Sequence, residues 1–369
     1  MDGGQPGISD FSIANPAEGG FDAKKLASAI AFARDEAETL WPRDLSQGIA
    51  DAGIHEPPPW NEILGPTKPR GGPNGIILRH GMILGSWGDI HRADMTFSVA
   101  KSYLALLAGL AVADGLIKDL DDAVRGYGLD DGFDSPQNRS ITWRHLLTQT
   151  SEWEGELWSK PDLVDRNRQV GAGSDNTRKG TPRTLQKPGS FYEYNDVRVN
   201  RLSLSLMQLF KRPLPDVLKE RIMDPIGCSG DWEWHGYRNS WIDIDGQRLQ
   251  SVPGGSHWGG GIWISSVDHM RVGELIRRNG AWNGRQLLPA SWIAAIREPC
   301  PVKPIYGLLW WLNTGRTQYP NVPESSFFAR GAGSNVIWVD QDLEVTAVIR
   351  WIDQKKIGDF LGRVVASLT

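Results

Sequence analysis

From Val99 to Val112 the chain is almost continuously apolar (Val99, Ala100, Tyr103, Leu104, Leu106, Leu107, Leu110, Val112), and a helix apolar on all sides has to be buried. That requirement constrains the fold more than any other stretch, because the rest of the chain must be wrapped around it. A polar loop, Asp89 to Asp94, leads into it, and its first turn carries Ser98 and Lys101. Residues three apart share a helix face, so the hydroxyl and the amine are within reach of each other. A serine beside an amine whose proton affinity burial can alter is the pattern of an activated nucleophile. The unpaired N–H groups of the helix start can stabilise an oxyanion there. The plainer alternative is a capping serine with a lysine that snorkels to solvent. Chance gives about one or two Ser-x-x-Lys spacings in a chain of this length, so the spacing alone does not decide between them.

The 369 residues suffice for one large domain or two ordinary ones. Forty basic and 44 acidic residues with no basic run argue against nucleic acid as a partner. No apolar run reaches membrane-spanning length and the first residues lack a signal-peptide pattern, which gives the expectation of a cytoplasmic protein with no membrane partner. Cys228 and Cys300 are read as buried free thiols. Histidine and cysteine spacings support no metal site, and Gly-x-Ser-x-Gly, Walker and dinucleotide motifs are missing, so neither a metal nor a cofactor is expected.

Period-two patterns predict a hairpin over Ile76–Trp87 and strands at Val336–Val339 and Val345–Trp351. Helices are expected over Phe21–Trp41 with Asp22 as cap and Leu26, Ile30 and Leu40 inward, over Ile141–Ser151 with Thr142 as cap, through Leu202–Leu209, over Val217–Ile222, from near Ser266, and over Ile357–Leu368. Residues 43–74, rich in Pro and Gly, form a functional loop or an insertion, and residues 152–187 a long polar loop. Gly254–Ile264 reads as a glycine-rich turn. Strands at both ends with helices between predict a sheet domain from residues 1–97 and 255–369, interrupted by a helical domain over 98–254.

Thr96-Phe97-Ser98-Val99-Ala100-Lys101-Ser102, Ile141 to Ser151, Pro188-Gly189 with Tyr194-Asn195-Asp196, and Arg330-Gly331-Ala332-Gly333 before a strand pair occur in that order. From about Phe21 onward the chain resembles the penicillin-recognising serine hydrolases: class C β-lactamases, β-lactamase-like carboxylesterases and 6-aminohexanoate-dimer hydrolases. The resemblance implies an α+β, β-lactamase/DD-peptidase-like fold, with an antiparallel sheet flanked by helices and an inserted all-helical domain. It implies Ser98 as nucleophile, Lys101 as its proton acceptor or pKa-lowering partner, and Tyr194 as the tyrosine of the family's Tyr-x-Asn motif, with Tyr192 as a rival. The backbone N–H groups of Ser98 and Ala332 become the expected oxyanion hole. Trp258-Gly259-Gly260, a Trp-Gly-Gly look-alike, lies too far upstream to enter the final strands.

Asp196, Arg330, Gly331, Trp258 and Trp310 are the candidate substrate contacts. Trp153, Trp158 and Trp311 lie in similar segments among the chain's 17 tryptophans, lining a pocket or packing in the core. Asp196 departs from the family's asparagine, and contact with Lys101 would favour the ammonium form. The implied activity is hydrolysis of a small-molecule ester or amide through an acyl-enzyme, carboxylesterase-like or acting on small amides. The alternatives are β-lactamase or D-aminopeptidase/DD-peptidase-like activity, or a non-catalytic binding or sensor protein that keeps the fold. Oligomeric state and substrate are left open.

Overall fold

The computed structural model describes residues 11–54, 56–171 and 173–369. Its main sheet has seven strands in the order Ser12–Ile13, Met82–Trp87, Asn74–Arg79, Val345–Arg350, Asn335–Asp340, Phe327–Gly331 and Trp311–Leu312. All neighbours pair antiparallel except Ser12–Ile13, which runs parallel to Met82–Ile83. The chain's early hairpin and its late strands thus close one sheet, Val345 opposite Arg79 and Arg350 opposite Asn74.

Strands Asn335–Asp340 and Val345–Arg350 are buried at every position, so both faces of the sheet are covered, which is why they read as β-branched runs. On one face the helix Ser266–Arg277 lies so close that a side chain at Gly273 would meet Ile337 and Thr346. On the other, Leu26 and Ile30 of the helix Ala23–Ala31 reach Gly85, and Phe360 of the helix Ile357–Ala366 packs on Trp87.

The apolar stretch forms the helix Val99–Ala113, buried from Val99 through Ala111. It lies between strand Phe327–Gly331 and the helix Asp196–Phe210. A second, three-stranded sheet (Asp94–Met95, Gly261–Ile264, Glu233–His235) leads into it. Buried Arg350 joins the two sheets, donating to the carbonyls of Asp94, Met95 and Ile264 and to Asn335 Oδ1. Among the described residues no helix is long and apolar enough to cross a membrane.

Several elements differ from the pattern-based expectation. The first helix is capped by Asp22 as expected but ends at Ala31, with an irregular turn over Phe32–Glu36, and Leu40 is 92% exposed rather than inward. The Pro-rich stretch carries a helix, Leu45–Ala52, hidden by its small and polar residues. The Thr142-capped helix spans only Trp143–Leu147, because Gln149 takes a positive φ of 56° and turns the chain. The glycine-rich turn ends in strand Gly261–Ile264, and Ser265 caps the next helix through Asp268 N. Residues 98–254 also contain the hairpin Trp241–Ile244 and Gln247–Gln250.

Candidate active site

Ser98 sits at the start of the Val99–Ala113 helix, directly after Phe97, whose φ of 50° is unusual for a bulky residue. The Ser98 side chain makes no capping hydrogen bond, which removes the capping alternative. Instead Lys101 Nζ donates to Ser98 Oγ over 2.9 Å. Behind them Thr96 Oγ1 and the Tyr103 hydroxyl hold the two nitrogens of buried His269, at 2.7 and 2.8 Å. Burial pushes the pKa of that imidazole well down, so His269 braces the helix start as a neutral group.

Lys101 does not snorkel. It is 1% exposed, donates to the Gly254 carbonyl at 3.3 Å and forms an ion pair with Asp196 Oδ1. Burial works against its ammonium, but Asp196 and Tyr194 together outweigh burial and the lysine pKa is raised. Asp196 is itself pulled well below the carboxylate range: burial opposes this, and Lys101, Arg168 and His257 overcome it. Asn195 caps the helix Asp196–Phe210 through the N–H groups of Val197 and Arg198, which fixes Asp196 at its first position.

Tyr194 precedes that cap. Gln149 grips this segment, accepting from Asn195 N at 3.1 Å while its carbonyl accepts from Glu193 N at 3.0 Å. Lys101 Nζ lies 4.8 Å from the Tyr194 ring centre and the Arg168 guanidinium 5.3 Å. Trp311 stacks on the same ring at 5.8 Å. Tyr192 instead packs edge-on against Tyr306, with its buried hydroxyl unpartnered.

Two glycines allow close approaches at the site, and one of them is required. A β-carbon at Gly331 would stand 2.2 Å from the Thr96 carbonyl and 3.1 Å from Ser98 N, so only glycine lets the strand end reach the nucleophile's amide. One at Gly255 would stand 3.1 Å from Lys101 Nζ and 3.4 Å from Ser98 Oγ. Ser98, Tyr194, Asp196, Arg330, Gly331 and Ala332 all line one cleft of about 1350 Å³. Arg330 donates to Gln318 over 2.6 Å and lies over the rings of Trp311 and Tyr319.

Two expected substrate contacts are corrected. Trp310 is 0% exposed and packs on Phe327, and Trp258 is 1% exposed behind the cleft wall, donating to Glu56 Oε2. Trp153 is likewise core, and Trp158 packs on Tyr237. Trp311 and Trp41 line the cleft.

The sequence reading missed a ring of charges behind Asp196. Asp196 Oδ2 pairs with Arg168, Arg168 with Asp165 at 3.1 Å, Asp165 with Lys179 at 3.3 Å, and Lys179 with Glu56. His257 closes the ring, Nε2 2.5 Å from Glu56 Oε1 and Nδ1 3.2 Å from Asp196 Oδ2. Ligand atoms of Glu56, Asp165 and His257 lie within 4.8 Å of one another, a spacing a cation could use, but Lys179 pairs with both carboxylates and supplies that charge. Arg168 and Lys179 sit in the polar loop and Glu56 in the Pro-rich stretch, where no periodicity points inward. Their only signal was charge in long segments without regular structure.

A mainly antiparallel sheet, helices on both its faces, and a buried helix that opens on Ser-x-x-Lys at the sheet edge define the β-lactamase/transpeptidase-like α+β fold. The chain belongs to the beta-lactamase family, whose profile matches residues 95–360, and it is a hydrolase of that family. Comparison with curated protein sequences gives no match. Among solved structures it is similar to a beta-lactamase from Mycobacterium bovis (18% identity, 87% of this chain and 99% of that one, TM-score 0.54). It is similar to EstCE1, a hydrolase with promiscuous acyltransferase activity (16%, 94% and 98%, 0.57). A family VIII carboxylesterase is a third such structure (14%, 87% and 96%, 0.56).

Proposed function

We propose that the chain is a serine hydrolase that cleaves a small ester or amide through an acyl-enzyme on Ser98, with a carboxylesterase-like or small-amide preference. The observation that carries this is the Lys101 Nζ to Ser98 Oγ contact of 2.9 Å at a buried helix start whose serine caps nothing. In this mechanism neutral Lys101 takes the Ser98 proton as Oγ attacks the carbonyl carbon. The amides of Ser98 and Ala332 hold the resulting oxyanion. Tyr194 carries the proton to the leaving group, and water then cleaves the acyl-enzyme by the reverse use of the same groups. A carboxylesterase and a hydrolase with promiscuous acyltransferase activity of the same fold support this substrate class.

The Lys101–Asp196 pair favours a second reading, a non-catalytic binding or sensor protein in which a base kept protonated makes acylation of Ser98 slow and leaves no group to activate the water that would release the acyl chain. Intact-mass spectra with p-nitrophenyl esters, a linear amide and a β-lactam separate the two. A transient adduct with product release is expected for esters, and a permanent adduct supports the second reading. Ser98→Ala should lose on the order of 10⁴-fold or more in hydrolysis while keeping its melting temperature. Retained hydrolysis in a pure sample of that variant removes both readings.

A further inference from the structure

His257 stands between two carboxylates with neither ring nitrogen facing an acceptor-free side: Nδ1 toward Asp196 Oδ2 at 3.2 Å, Nε2 toward Glu56 Oε1 at 2.5 Å. An ionised carboxylate only accepts hydrogen bonds, and a neutral imidazole has a single N–H. Both contacts are satisfied together only when the ring carries two protons. Glu56 faces His257 from the Pro-rich stretch, Asp165, Arg168 and Lys179 from the polar loop, and Asp196 from the start of its helix, with Lys101 beyond it. Tyr237 packs on Trp258, whose ring lies 4.3 Å from the imidazole. Three cations (Lys101, Arg168, Lys179) balance three carboxylates (Glu56, Asp165, Asp196), and Lys160 lies over the Trp258 ring on the Glu56 side, so the charge of His257 is set by its two direct carboxylate contacts and adds to the positive charge beside Ser98.

From this geometry we infer that His257 is a positioning residue: as an imidazolium clamped by Glu56, it draws on Asp196 Oδ2 and so loosens the hold of Asp196 on the Lys101 proton. The inference rests on the hydrolase reading above and assigns a task to the Pro-rich stretch, which delivers Glu56. Burial opposes the imidazolium, and Glu56 and Asp165 outweigh it, so the His257 pKa is raised. Asp196 must ionise to hold the ring together, yet alone it would keep Lys101 protonated and idle. Arg168 already pairs with its other oxygen, and the imidazolium adds a further positive charge on that same side, so the two together relieve that conflict. Trp258 fixes the clamp from behind by donating to Glu56 Oε2 at 2.9 Å, and its carbonyl accepts from the amides of Leu64 and Gly65.

The test has two arms. In the first, the ring nitrogens of ¹⁵N-histidine-labelled protein are followed by NMR from pH 5 to 9, His257 being assigned by its loss in His257→Gln or by its displacement in Glu56→Gln. The expected result is a wild-type imidazolium that persists above the ordinary histidine range, and a lower pKa in Glu56→Gln. In the second arm, kcat/KM for a p-nitrophenyl ester is measured against pH. His257→Gln removes a positive charge near Lys101, so its acidic limb should move up by about one unit. A neutral His257 at pH 7 overturns the inference, as does a limb that stays in place or moves down. The parent reading is judged separately, by phosphonate labelling of Ser98. If Ser98 does not label, the NMR arm still decides the protonation state.

Discussion

At the scale of single residues, Asp196 controls the chemistry. Lys101 must lose a proton to act as a base, and its raised pKa keeps it charged at neutral pH. Asp196→Asn removes the charge that holds the proton, so the acidic limb of kcat/KM should shift to lower pH, opposite in sign to His257→Gln. An asparagine N–H₂ could also donate to an acylamide carbonyl, so slow acylation by penicillin-type compounds should improve in the same variant. An unchanged pH profile would exclude Lys101 as the base. Tyr194→Phe should cost roughly 10²- to 10⁴-fold in turnover. Tyr192→Phe should cost little, since its hydroxyl has no partner to lose. The juxtaposition of Ser98, Lys101 and Asp196 is legible in the sequence because helix spacing and an ordered set of motifs bear on it. The burial of Trp258 and Trp310 is not, because position near a motif says nothing about which way an indole points. An aryl phosphonate on Ser98 should therefore quench Trp311, which stacks on Tyr194. Trp311→Phe should remove most of the fluorescence response, and a full response in that variant would place the ligand elsewhere.

At the scale of elements, the site depends on two close approaches of backbone. Strand end Gly331 touches the start of the nucleophile helix, and Gly255 packs against its ion pair. Gly255→Ala should reduce kcat by displacing Lys101, with a modest loss of stability because the displaced atom is the end of a flexible chain. Gly331→Ala meets the backbone carbonyl of Thr96 instead and should cost both activity and folding stability, on the order of 1–3 kcal/mol by overpacking. Thermal unfolding with parallel assays distinguishes the two. Strands with alternating or β-branched runs are readable locally. The short helix Leu45–Ala52 and the turn at Gln149 are not, because tertiary contacts, not periodicity, fix them.

At the scale of the molecule, the charge ring makes stability acid-sensitive. Burial would raise the Glu56 pKa, but His257 and Lys179 outweigh it and bring it to about 2 from 4.5. A group depressed in the folded state contributes stability that is complete above its unfolded value and is lost as pH falls through the folded one. The Glu56 share, on the order of 3 kcal/mol, should therefore disappear between about pH 4.5 and 2, with Asp196 following in the same direction. Urea midpoints for Glu56→Gln should be lower than wild type at pH 7 and converge with it near pH 2. Parallel curves at all pH values would show that the ring does not report on folding. The ring also has a consequence in time. Ser98 and Lys101 meet by closing one helical turn, but Glu56, Asp165, Asp196 and His257 come from four segments separated by up to about two hundred residues. Contacts so distant in sequence close late. During refolding the chain should regain its helical signal first, and only afterwards the ability of Ser98 to capture a phosphonate.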